Sequence, residues 1–401
     1  MSRSAAITGV GCVSGFGVGA AATWQGLLSA RQAATTQVPH EDGCQSSCVK
    51  APSAEVMSKA VPSTSFGRPT RVGLMAKLAA EEAWTSAALG TNADPDRTGL
   101  IVGRNFGQHE VIGEYYRTLW DKGPSAVSGL QFVQTVANSV LGQIALQYCC
   151  RGPSLLLYGA SALTLALDAI RDDVADVVLV GAFDELSAYV VELCHRRQVV
   201  HENRRTKRIG RPYDRSSEGL LPGEAAVFLV LERPEFCNAR GVSAIAYIRG
   251  YGEVSDHRYL RNPAERDQRE TSIALRNALL DADISAGDVT VISGAGNGVA
   301  QADQAELCCI ATVFRCPPLL FSVKGALGET WGAAAALSTL AAMRCLRDNI
   351  APPTAGAPDN HKTENIPVVI GSARQVFART AVVNSFEMAG QNCCYILANE
   401  P

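Results

Sequence analysis

No uncharged apolar stretch among the 401 residues reaches the roughly 20 that a membrane-spanning helix requires. Neither sign of charge dominates: 36 Lys and Arg stand against 39 Asp and Glu, a net charge of −3. No global field therefore draws nucleic acid or an anionic membrane, and any basic docking surface must be local. The thirteen cysteines include no C-x-x-C, which argues against a zinc ribbon or a thioredoxin-like motif. The N-terminus MSRSAAITGVG lacks the basic region and apolar core of a secretory signal. A cytoplasmic protein with reduced thiols is expected, with most cysteines serving as small buried hydrophobes. Neither a metal nor a cofactor is expected. Histidine is scarce as well, with only His40, His109, His195, His201, His257 and His361.

What is present is apolar material enough for a large core, 47% hydrophobic against 19% charged. Short apolar runs ending in glycine or polar turns alternate with Ala/Leu-rich segments of helical period, the pattern of an α/β fold with buried strands. Strands are expected at Ser4–Gly11, Gly99–Gly103 and Ala225–Leu231, and helices at Thr23–Ser29, Val72–Leu89 and Thr271–Asp281. Residues 196–210, polar and basic, and the charged stretch 257–270 are read as surface loops.

The two halves share one grammar. Strand Ser154–Tyr158, turn Gly159–Ser161, a small-residue helix Ala162–Asp172 and strand Val177–Gly181 occupy the first. Strand Leu319–Val323, turn Lys324–Gly328, a small-residue helix Thr330–Arg347 and strands Val368–Gly371 and Ala381–Phe386 occupy the second. A duplicated α/β unit is expected, divided as residues 1–250 and 251–401, with Ala-rich helix faces such as Ala333–Ala336 meeting centrally.

GPSLLLYGASAL at 152–163 resembles the G-P-S-x-x-x-x-T-A-C-A/S-S nucleophile segment of the β-ketoacyl-acyl carrier protein synthases. The likeness extends along the chain in order. It takes in residues 5–31, Asn138–Gln143 with Arg151-Gly152-Pro153, VLVGAFD at 178–184, RPYDRSSEGLLPGEAAVFLVLE at 211–232 and NSFEMAGQN at 384–392. The resemblance implies a thiolase-type five-layer αβαβα fold with pseudo-duplicated halves, as a dimer.

In that family a cysteine takes the acyl chain while two histidines stabilise charge during decarboxylative condensation, and a lysine and a glutamate hold the network. Ser161 stands at the cysteine position. Matching N-A-H-G-T-G-T to SGAGNGV at 293–299 puts Ala295 at the first histidine, with Asp303 and Glu306 in register behind it. Matching K-S-x-x-G-H to KGALGE at 324–329 keeps Lys324 and puts Glu329 at the second histidine. The G-F-G-G turn becomes Glu387-Met388-Ala389-Gly390. General acid–base groups commonly contribute factors of roughly 10²–10⁴ each, so with two missing, ordinary condensation by this chain is expected to be negligible.

Read residue by residue, Ser161 is either a helix-start cap or filler, or an acylated serine for which no base is evident. Lys324 and Glu306 are expected to form a structural ion pair, with Glu329 in the same network or acting as a general base. The cluster Arg204, Arg205, Lys207 and Arg208 is a solvated loop or a docking surface for an acidic acyl carrier protein.

The pattern resembles the chain length factors of type II polyketide systems, synthase-like subunits that lack the cysteine and pair with a catalytic ketosynthase. Glutamine is the usual replacement there, so with serine, polyene or fatty-acyl chains fit as well as aromatic polyketides. The resemblance implies a heterodimer with a ketosynthase subunit, the strand Ser154–Tyr158 pairing antiparallel to its counterpart and Phe132, Thr135 and Val136 gating the tunnel. Two other readings stay open: a Ser161-dependent acyltransferase or hydrolase acting on acyl thioesters, and a homodimeric acyl-chain-binding protein.

Overall fold

The computed structural model describes residues 4–39, 45–60, 69–90, 93–197, 199, 209–258, 268–357, 365–387 and 390–401. The clusters Arg204, Arg205, Lys207, Arg208 and Met388, Ala389 lie outside them. Among the described residues, ten strands build the main sheet: β1 (Ala5–Ser14), β2 (Thr98–Arg104), β3 (Ser154–Tyr158), β4 (Val177–Asp184), β5 (Ala225–Glu232), β6 (Ala246–Ser255), β7 (Val291–Ser293), β8 (Leu319–Phe321), β9 (Thr380–Phe386) and β10 (Gln391–Ala398). A two-residue strand, Gly17–Val18, adds onto β1.

From the centre outward, the first half runs β1-β5-β4-β2-β3 and the second β6-β10-β9-β7-β8. Each half makes two antiparallel pairings and then two parallel ones. The two orders match strand for strand, so the duplicated grammar is a duplicated topology. Antiparallel pairing of β1 with β6, from Ala5↔Ile248 to Ile7↔Ala246, joins the halves into one continuous sheet. Residue 250, the expected division, falls inside β6, the strand that begins the second half.

Five layers follow from what packs on each face. Helix α1 (Arg71–Ser86) covers the outer face of the first half, burying Val72, Met75, Ala76 and Ala79 against alternate residues of β4 and β5. Helices α5 (Gln268–Asp281) and α6 (Ala300–Val313) cover the outer face of the second. Between the halves lie α4 (Ser161–Arg171) and α7 (Ala334–Asp348), sharing one apolar core with both. Alanines and leucines at three- and four-residue spacing give α4 its buried stripe of Ala162, Leu163, Ala166, Leu167 and Ile170. Nearly every residue of α7 is buried, as a helix enclosed on all sides requires. Two further helices, α2 (His109–Lys122) and α3 (Gly129–Thr135), follow β2 and have no fully buried residue.

Several expectations need correction. The opening strand runs on to Ser14, and the first helix spans Ala20–Leu28. Val368–Gly371 is not a strand: Val368 makes a single bridge to Leu320 before the chain turns at Gly371, whose φ is +74°. Lys324–Leu327 forms one helical turn. Nine of the twelve described cysteines are buried, with Cys149 and Cys316 exposed and Cys308 between. No helix among the described residues is long and apolar enough to cross a membrane.

Candidate functional site

The chain leaves β3 through Gly159, in the left-handed region at φ +72°, and enters α4 at Ser161. Ala160 is the capping position and no side chain caps the helix, so Ser161 is not the cap that its place suggested. Its hydroxyl instead donates to Glu253 Oε1 at 2.8 Å. Thr164, three residues on and therefore on the same face of α4, donates to Glu253 Oε2 at 3.2 Å. Gln391 at the start of β10 donates its amide to both Glu253 Oε1, at 2.5 Å, and Ser161 Oγ. Tyr395 fixes the turn from below, its hydroxyl donating to the Ala160 carbonyl at 2.8 Å.

Glu253 was missed by sequence reasoning, and the strand alternation explains how it gets there. Gly250 and Gly252 face α5 so closely that a Cβ on Gly252 would stand 2.0 Å from the Ala274 carbonyl oxygen. Tyr251 and Glu253 must then point to the opposite face, toward α4. There Tyr251 donates to Asp168 at 3.0 Å while Glu253 receives Ser161 and Thr164. The strand's one carboxylate, following glycines at alternate positions 250 and 252, was the available signal.

The other chemical positions are held in structural bonds. Lys324, 3% exposed, donates to Glu329 Oε2 at 2.8 Å, so its ion-pair partner is Glu329 rather than Glu306. Burial works against the Lys324 charge, and the Glu329 carboxylate outweighs it, leaving the ammonium pKa above its ordinary value. Glu329 also accepts from Asn297 Nδ2 at 2.9 Å and the Trp331 backbone N–H at 3.2 Å. Glu306 accepts from the Ala295 backbone N–H (2.9 Å), Asn384 Nδ2 (2.8 Å) and the Tyr213 hydroxyl (3.0 Å). Asp303 accepts backbone N–H groups of Tyr213, Asn297 and Gly298 at 2.7 to 3.0 Å, which sets the turn that carries Ala295.

Glu387 joins the two clusters. It accepts from Asn105 Nδ2 at 3.2 Å and the Ser385 hydroxyl at 3.1 Å, while Asn105 Oδ1 accepts the Gly159 backbone N–H at 2.9 Å. Burial first, then the nearby Glu329 charge, pushes the Glu387 carboxyl up to about 7.

The void behind the Ser161 turn is small. The void behind the turn, lined by Ala162, Leu163, Gly332 and Ala335 among others, measures about 10 Å³, room for roughly one water. A groove of about 730 Å³ lies elsewhere, between α2, α3 and Arg71, with Tyr115, Leu130 and Gln134 on its walls. Of the expected tunnel residues, Phe132 and Val136 are exposed at 54% and 41%, and Thr135 is half-buried with its hydroxyl turned to the Phe132 carbonyl at 2.7 Å. No cluster of three or more metal-ligating side chains occurs among the described residues.

Comparison with known proteins agrees with this geometry. The model of the β-ketoacyl synthase N-terminal domain matches residues 2–236, and that of the β-ketoacyl synthase C-terminal domain matches residues 245–357. The chain is 29% identical over 417 residues to the 3-oxoacyl-[acyl-carrier-protein] synthase 2 of Rhizobium meliloti (strain 1021), covering 98% of both. It is also 29% identical over 402 residues to Nodulation protein E of Rhizobium sp. (strain N33), again over 98% of both. Among solved structures, the ishigamide ketosynthase/chain length factor superposes with a TM-score of 0.89 at 25% identity over 99% of each chain. The AntDE:AntF complex, a type II PKS acyl-carrier protein with its ketosynthase, superposes at 0.87 and 21% identity over 99% of each chain and shares the fold.

Proposed function

The chain belongs to the β-ketoacyl synthase family, and from that premise we propose that it is the non-condensing partner of an active β-ketoacyl synthase. It pairs with that subunit and shapes the acyl tunnel while the partner elongates a chain on an acyl carrier protein. The observation that carries this is the fate of the second histidine position. Glu329 there is committed to Lys324, Asn297 and the Trp331 backbone, leaving no imidazole-like donor for a developing oxyanion. Ala295 offers no side-chain donor either, and its backbone N–H is spent on Glu306.

Two further features support pairing. β3 ends the sheet with one edge that no strand among the described residues covers, and its Leu155 and Tyr158 are 42% and 72% exposed. Phe132, Val133 and Val136 add exposed apolar surface at the end of α3. Such surface marks an interaction site. The likeness to the ishigamide ketosynthase/chain length factor favours a heterodimer over a homodimer. The acyl room that the void of about 10 Å³ behind the turn cannot give is then supplied at the interface, with Phe132, Thr135 and Val136 on the wall, and the acidic carrier docks at Arg204, Arg205, Lys207 and Arg208.

Co-expression with a synthase carrying the Cys-His-His set tests the reading. Native mass measurement is expected to find one copy of each subunit, with product formed only when both are present. Tyr158→Arg, placing a charge on the β3 edge, is expected to abolish the pairing. A chain that stays homodimeric, with product formed equally well in its absence, refutes it.

A further inference from the structure

Ser161 does have a proton acceptor, and we infer from its hydrogen bond to Glu253 that this chain takes a short acyl group from a thioester onto Ser161 and hydrolyses it. The inference goes beyond the partner role, and the isolated full chain tests it. A serine hydroxyl becomes a nucleophile only when a base stands ready for its proton. Glu253 Oε1 is 2.8 Å from Ser161 Oγ, and the carboxylate's other oxygen is fixed by Thr164 while Gln391 fixes the first. The carboxylate therefore cannot swing away from the hydroxyl. Ser161 is also half-buried rather than sealed, and it is the first residue of an eleven-residue helix, whose unpaired N–H groups favour negative charge on an attacked carbonyl.

The step balances within these groups. Ser161 Oγ attacks the thioester carbonyl while Glu253 takes its proton. The C–S bond then breaks and the thiol leaves with that proton, so Ser161 carries an ester. Water, giving a proton to Glu253, attacks the ester, and the carboxylic acid departs as the proton returns to Oγ. The net reaction is thioester and water to acid and thiol. The void of about 10 Å³ behind the turn is too small to take an acyl chain, so the acyl group lies at the half-buried hydroxyl itself, and only a short one such as acetyl is expected on the isolated chain.

The probes are the N-acetylcysteamine thioesters of acetate and octanoate, read by intact mass and by thiol release. The mass gain of one acetyl group is expected on the wild type, stable to neutral hydroxylamine and therefore not on the exposed thiols Cys149 or Cys316. Octanoate is expected to give none. Ser161→Ala should abolish both the adduct and thiol release, and Glu253→Gln should slow acylation by about 100-fold, the range of a lost general base. A Ser161→Cys background separates base from scaffold. A thiol ionises without Glu253, so Glu253→Gln is expected to leave that variant's acylation equal or faster. Absence of any adduct on the folded wild type overturns the inference. So does an adduct that survives Ser161→Ala, or an equal loss from Glu253→Gln in both backgrounds.

Discussion

Lys324→Met isolates the element on which the non-condensing reading rests. Lys324 and Glu329 are side-chain exposed by only 4% and 6%, and their atoms meet at 2.8 Å. Removing the lysine leaves a buried carboxylate supported by Asn297 and one backbone N–H. Breaking a buried pair this way costs about 3–5 kcal/mol, because the remaining charge is uncompensated. Unfolding entropy of about 2.1 cal/mol/K per residue gives about 0.8 kcal/mol/K for a chain of 401 residues. The melting temperature by calorimetry is then expected to fall by about 4–6 °C. Replacing both partners with apolar side chains, Lys324→Met with Glu329→Leu, removes the stranded charge and should restore stability to within about 1–2 kcal/mol of the wild type. The reconstituted pair should still make product with this double variant. An unchanged melting temperature in Lys324→Met, or a stable double variant that no longer supports synthesis, refutes the claim that the pair is structural.

Two other outcomes follow from named groups. Glu387 holds its proton up to about pH 7 in the folded state, above the ordinary 4.5, so folding binds a proton that the unfolded chain has lost. Its contribution is complete below pH 4.5 and disappears as the pH rises through 7; Asp303, pushed up to about 7 by burial, acts in the same window. Urea midpoints should therefore drop between pH 5 and 8, and Glu387→Gln should flatten that drop, with a difference of up to about 3 kcal/mol. Phe132→Ala should lengthen the products of the reconstituted pair, read by mass spectrometry of the released chains; unchanged lengths remove Phe132 from the gate.

The elements that sequence reasoning placed well are those fixed by local pattern. Ser154–Tyr158, the Gly159 turn and the helix after it are specified by a run of three leucines and a tyrosine, a glycine at positive φ and a small-residue stripe, all within 18 residues. Val368–Gly371 misled because a short apolar run carries no information about pairing, and the run makes only the one bridge of Val368 to Leu320. The site was harder because its bonds are long-range. Ser161 meets Glu253 across 92 residues and Gln391 across 230. Only the alternation of glycines with Tyr251 and Glu253 hinted at which face the carboxylate takes. The misassigned lysine partner is the opposite case. The sequence suggests a turn at Lys324–Gly328, whereas the helical closure of Lys324–Leu327, Gly328 N–H to the Lys324 carbonyl at 2.8 Å, brings the chain back so that Glu329 reaches its own turn's lysine.

Charge balance ties these positions together. Lys324 sits between two buried carboxylates, bonded to Glu329 and close enough to Glu387 to lower its pKa. One cation cannot neutralise two anions in a dry interior, and leaving the excess charge unpaired would cost several kcal/mol. The cheaper state keeps a proton on Glu387, which is what a carboxyl pKa near 7 means. Glu329 therefore has a consequence at the C-terminal turn: once it claims Lys324, Glu387 is neutral through most of the acid range. It then holds Asn105 and, through it, the Gly159 turn as an uncharged group. Glu329 and Glu387 are thus not independent. They share one lysine, and Glu329→His alone is expected to free Lys324 for Glu387 and ionise it.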